Sequence, residues 1–221
     1  MSGVTGGSVT TAFSETIRMA TAGAHRGAER SGFLAALLAG ALPVEAYGRL
    51  AVQHRAVYKA LESFNWAMSM DDIAGEFVHD DVVRLPALER DVVAVLGPDW
   101  RERPEALPVP ATLEYCDRIR AVGHEWPAGW VAHQYVRYLG DLSGGFYVGA
   151  RIEAVFGLDA SNGTAFYDFP KVDDPDAWKN DYRRRLDEAP WDHAEQERFV
   201  AEVLEAYRLN TEIFAQLEEP A

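Results

Sequence analysis

The sequence contains a single cysteine, Cys116, in 221 residues. An intrachain disulfide is therefore impossible, and cysteine usage gives no indication of the redox compartment. A positive balance is also missing. Lys and Arg number 21 against 35 Asp and Glu, a formal net charge of −14. No strongly basic surface is available to neutralise phosphates, so nucleic acid is set aside as a partner. A local basic patch remains at Arg183-Arg184-Arg185, with Lys179 a turn earlier. Long apolar runs are absent too. The longest, residues 33–42, contains Gly40 and is too short to span a bilayer. Residues 1–11, rich in Gly, Ser and Thr, have neither the basic flank nor the apolar stretch of a signal peptide. The expectation is a cytoplasmic chain with no membrane partner, and no feature demands more than a monomer.

What is present is helical. Hydrophobic residues make up 48% of the chain, enough for one sizeable core, and they recur at helical rather than alternating spacing. Helices are expected over about 15–30, 33–38, 44–68, 82–96, 111–122, 127–156, 177–186 and 193–217. Gly40, Pro43, Gly97-Pro98 and Gly157 punctuate them. Residues 98–109 hold three prolines and read as an irregular connector. No strand pattern or internal repeat is evident. The predicted fold class is all-α, a multi-helix bundle, with residues 1–12 a disordered lead-in and 13–217 a single domain.

Within the longest helix the chain reads Tyr135-Val136-Arg137-Tyr138-Leu139-Gly140-Asp141-Leu142-Ser143-Gly144-Gly145. A glycine inside a helix costs roughly 1 kcal/mol relative to alanine. Three within six residues call for a reason, and the commonest is close approach of the backbone to another helix or to something flat. Arg137 and Asp141 are four residues apart and can pair. His25 is followed by Glu29 one turn on; such a pair is either an exposed helical contact or a metal-ligating imidazole oriented by a carboxylate. Lys179, Tyr182 and Arg183 share a face, and Arg18 precedes His25 by two turns. Each group is either a solvated basic face or a receiver of ligand carboxylates.

Taken together, these segments resemble the heme oxygenase family over about residues 13–217. The specific part is residues 135–145. Ala20-Thr21 before His25, Ala28-Glu29 after it, Val131-Ala132-His133, Ala165-Phe166-Tyr167, Lys179 to Arg183, and Leu209-Asn210 with Phe214 fit in order and spacing. The resemblance implies a reaction: oxidative cleavage of heme b, both substrate and cofactor, to biliverdin, carbon monoxide and ferrous iron. O2 and external electrons would be consumed. It also implies roles. His25 would be the proximal iron ligand with Glu29 behind it. Gly140, Gly144 and Gly145 would form a kinked distal helix over the other face. Asp141, with Arg137, would order distal waters. Arg18, Tyr135, Lys179 and Arg183 would meet the propionates, and Asn210 and Phe214 would belong to the distal wall. Where the family usually has glutamine after the paired glycines, this chain has Phe146, which either repacks the outer face of the helix or dries the pocket.

No bound flavin or nicotinamide is expected, since neither fingerprint occurs, so the electron donor would be a ferredoxin or a flavoprotein reductase. Other chemistries have less support. A thiaminase-like enzyme would need Cys116 activated. A di-iron bundle needs two Glu-x-x-His motifs, and only Glu76 to His79 fits. The glycine run lacks the lysine of a phosphate loop. A heme carrier that does no turnover shares the proximal site and stays open.

Overall fold

Local devices set the helix boundaries. The structure, a computed structural model, describes residues 11–29 and 31–218, without the side chains of residues 28 and 29. Most of the expected lead-in lies outside these residues. Helix α1 (Phe13–Glu29) begins earlier than expected. Ser14 does not cap it: its N–H and hydroxyl donate to Asp187, at 2.7 and 3.0 Å. Ser31 caps α2 (Gly32–Leu38) by accepting from the Leu34 N–H. Pro43 precedes α3 (Val44–Glu62).

The helix expected over 44–68 is divided. The Ser63 hydroxyl donates back to the Ala60 carbonyl at 2.8 Å, a local bond that competes with the helical ladder. A short α4 (Asn65–Met68) follows. Helix α5 (Leu85–Leu96) starts three residues late because the Arg84 and Leu85 N–H groups donate to the Glu62 carboxylate, at 2.6 and 3.1 Å. Gly97, at φ 84°, ends it. Residues 98–109 contain two 3₁₀ turns. Then come α6 (Pro110–Glu125), α7 (Pro127–Gly140), α8 (Phe146–Phe156), α9 (Pro175–Glu188) and α10 (His193–Glu218). Among the described residues there is no strand.

Helix α10 packs against α7, α1 and α6, and α3 packs against α5 and α6. Trp130, Tyr115, Phe199, Val203 and Leu209 fill the space between them, all fully buried. Each such side chain contributes about 1.5–3 kcal/mol of burial. The Trp130 indole N–H donates to the Leu61 carbonyl at 3.0 Å, fixing α7 against α3. This frame surrounds a cavity bounded by α1, α3, α7–α8 and α10.

Candidate functional site

The three glycines of residues 140–145 do not break the helix. Gly140 and Gly145 keep right-handed helical angles, and the backbone passes from α7 to α8 through one π turn, Asp141–Gly145. A widened turn of this kind inside an α-helix is a frequent mark of functional sites. The glycines differ in what they face. A Cβ on Gly140 or Gly144 would meet nothing within 4 Å. No neighbouring helix requires these two to be bare. Gly149, a turn beyond the π turn, is a packing glycine: a Cβ there would lie 2.6 Å from that of Tyr167. Gly145 is intermediate, buried and in ordinary contact range of Asp141 and Tyr167.

Gly140 and Gly144 line a cavity of about 230 Å³ with apolar walls of Leu34, Leu50, Val136, Val148 and Phe214. Its polar lining is His25, His54, Arg137, Asp141 and Asn210. A second cavity of about 250 Å³ adjoins it, sharing His25, Gly140, Ser143 and Tyr207. This outer space is lined by Arg18, Arg26, Arg183 and Tyr135. The pair makes an apolar interior with a cationic mouth, which suits a flat, largely apolar molecule bearing carboxylates at one edge.

His25 stands where the two cavities meet, edge-on to Tyr207 of α10, with ring centroids 5.9 Å apart. The side chain of Glu29 lies outside the described residues, so the expected His25–Glu29 pairing does too. Arg18 is exposed and held by Glu15, Nε to Oε2 2.7 Å. Arg183 is bonded to Asn180. Lys179 reaches Ser143 Oγ at 3.4 Å and pairs with Asp176 at 2.9 Å, so it stands at the rim. Tyr182 does not share this face: it is buried and donates to the Val131 carbonyl. Arg184 and Arg185 are taken up by Asp181, Glu188 and Glu76, which reduces the expected basic patch.

Asp141 and Arg137 are both at the site, but the direct pair read from their spacing does not form. Arg137 Nη1 donates to Asn210 Oδ1 at 2.9 Å. Asp141 accepts from the Tyr58 hydroxyl. Tyr58 lies between them, its ring 5.1 Å from the Arg137 guanidinium carbon. Tertiary partners on α3 and α10 have displaced the local one. Burial pushes the Asp141 carboxyl above the usual carboxylate range, and Arg137 and Tyr58 only partly offset it. Phe146 faces away from this cavity. It is 40% exposed and lies edge-on to Phe169, so it repacks the outer face.

Tyr58, His54, Tyr167 and Tyr207 are site residues the sequence reading missed. Leu50, His54 and Tyr58 fall at i, i+4 and i+8 on one face of α3, and two polar rings one turn apart beside Leu50 were the available signal. Cys116 is buried and its thiol is pushed up to about 11 by burial, the opposite of an activated nucleophile. Among the described residues no three His, Cys, Asp or Glu side chains gather as a metal site, and no helix is long and apolar enough to cross a membrane.

A second buried acid lies on α10. Glu202 receives Arg118 through both Nε, at 2.8 Å, and Nη2, and His133 Nε2 at 2.8 Å. Burial alone would raise its pKa, but these hydrogen bonds pull it down to about 2.

Comparison with known proteins agrees with this geometry. The heme oxygenase family model matches residues 11–216. Heme oxygenase 1 of Nostoc sp. is 35% identical over 202 residues, 91% of this chain and 84% of that protein. The crystal structure of heme oxygenase-1 from Synechocystis sp. in complex with heme superposes with a TM-score of 0.87 at 34% identity, covering 94% of this chain and 93% of that one. The heme oxygenase structure from Leptospira interrogans gives 0.85 at 29% identity, covering 93% and 100%.

Proposed function

The chain belongs to the heme oxygenase family, and from that premise we propose that it cleaves heme to biliverdin, carbon monoxide and ferrous iron with O2 and electrons from a separate donor. The observation that carries the reading is the open space over Gly140 and Gly144. A helix that gives up about 1 kcal/mol at each glycine, with no protein neighbour to accommodate, has kept its backbone bare for a ligand.

Heme, when bound, supplies both the ring to be opened and the iron that activates oxygen. This chain's residues supply the rest. His25 provides a neutral imidazole nitrogen for the iron, a ligand that does not push electron density toward O–O cleavage as a thiolate does. Arg18, Arg183 and Tyr135, with Lys179 at the rim, receive the propionates at the cationic mouth. The apolar walls take the ring and exclude bulk water. The bare peptide groups at Gly140 and Gly144 would let a flat group approach the helix backbone.

Asp141 is the proton-handling group. Its raised pKa lets the carboxyl carry a proton nearer neutrality than an exposed aspartate could. Tyr58 orients it, and Arg137, anchored on Asn210, holds a positive charge nearby. Asp141 would pass its proton through a held water rather than by touching the heme directly.

The test is an optical titration with hemin, then reductant and oxygen. A one-to-one complex with a histidine-type Soret band, bleaching to biliverdin with carbon monoxide released, is expected. A stable complex that never bleaches would make the chain a heme carrier. His25→Ala should lose the axial-histidine spectrum and regain it in part with added imidazole; no recovery would remove His25 from the iron.

A further inference from the structure

His54 sits in the middle of the α3 stripe, between Leu50 and Tyr58, and lines the inner cavity. Its ring is tilted against Phe166, centroids 5.1 Å apart. Neither ring nitrogen has a hydrogen-bond partner among the described residues. Burial, and then the Arg137 cation, push the imidazole well below the ordinary histidine range, so the ring is neutral, with one nitrogen a donor and the other an acceptor. Arg137 Nε is likewise buried without a partner. Polar atoms left over in a cavity with room for a solvent molecule are where proteins hold ordered water.

The two charged neighbours are one-sided. Arg137 only donates, and Asp141 when ionised only accepts. A neutral imidazole does both, so it can fix the orientation of a water as well as its place. We propose that His54 is a positioning residue of the reaction assigned above, holding a water in the inner cavity beside the Asp141–Tyr58 pair and so directing where the Asp141 proton can go. The consequence for catalysis rests on the heme reading; the water itself does not.

Two replacements separate the nitrogens from the ring. His54→Phe keeps an aromatic ring against Phe166 and removes both polar atoms. His54→Gln keeps a donor and an acceptor and gives up the ring. Crystals of the heme-loaded protein should show a water within about 3.2 Å of a His54 nitrogen, retained at the amide in His54→Gln and missing in His54→Phe. Azide titration of the heme-loaded protein, followed at the Soret band, should give unchanged affinity for His54→Gln. For His54→Phe it should be weaker by about fivefold, the loss of one ordinary hydrogen bond. Wild-type affinity in His54→Phe with loss in His54→Gln would assign His54 to packing and overturn the proposal. A wild-type crystal with no water on either nitrogen would do the same. A protein that takes up no heme would instead defeat the assigned reaction, and water on His54 in heme-free crystals would still decide this point.

Discussion

Asp141 and Glu202 are two acids in the same helical frame, each with an arginine nearby, and their surroundings drive them in opposite directions. Glu202 has a two-pronged bond from Arg118 and a third from His133, and its carboxyl is pulled down to about 2. Asp141 has one direct partner, Tyr58, because Arg137 is spent on Asn210. Its carboxyl is raised. The difference is between a charge satisfied for stability and a charge left under-satisfied beside a cavity. Both are carboxylates under the same helices, and the number of donors aimed at the carboxylate separates them.

The largest expected effect tests the chemical side of this contrast. Asp141→Asn should retain the hemin Soret complex but lose biliverdin formation by about a hundredfold or more, the scale of a positioned proton donor. Its melting temperature should not fall. The raised pKa means the folded chain binds that proton more tightly than the unfolded chain, so ionisation costs stability as pH rises through the carboxylate range. The amide removes that cost. Wild-type turnover in this variant would end the proton-handling role.

Glu202→Gln should do the reverse. Removing the charge leaves Arg118 and His133 one neutral amide oxygen in place of two charged ones and should destabilise by about 2 kcal/mol, discounted because Arg118 is half in solvent. Biliverdin yield per bound heme should hold. Here the folded pKa is depressed, so the contribution is complete above the ordinary value of 4.5 and lost as pH falls toward about 2. Denaturant melts should show the gap between wild type and variant closing over that window. A gap that persists at pH 2 would mean the stabilisation is not electrostatic.

A smaller effect separates the glycines. Gly144→Ala meets no protein atom, so the heme-free chain should gain up to about 1 kcal/mol of helix stability while hemin affinity falls. Gly149→Ala, facing Tyr167, should lose stability instead. The smallest effect is expected for Phe146→Gln. The side chain is on the outer face, so the Soret band and biliverdin yield should be unchanged and stability should shift by less than about 1 kcal/mol.

Helix order was legible because period, Gly and Pro agree along most of the chain, whereas the number was not, since the expected helices 44–68 and 127–156 each divide in two. Boundaries slipped where a distant side chain intervened, as with Asp187 at Ser14 and Glu62 at Leu85. The placing of His25, Gly140, Asp141, Asn210 and Phe214 around one cavity was legible through the family signature. The partner of Asp141 was not. Spacing proposes Arg137, whereas Tyr58 lies 83 residues away in sequence, on α3. Local pattern names candidates, and only the packing of α3 against the α7–α8 segment chooses among them.

The π turn also acts as a phase shifter. In an uninterrupted α-helix Phe146 would follow Leu139 and Leu142 at i+7 and i+4, on their buried stripe. One widened turn holds back the winding by about 100°, nearly one residue's rotation, and Phe146 faces solvent. Gly149 and Ile152 are the buried positions of α8. A heptad count from Leu139 carried across residue 141 would therefore put Phe146 in the core, where it is not. Shortening the turn by one residue would rotate the whole of α8 and turn its packing face out of the core. Its length is thus under tighter constraint than the open surroundings of its glycines would imply.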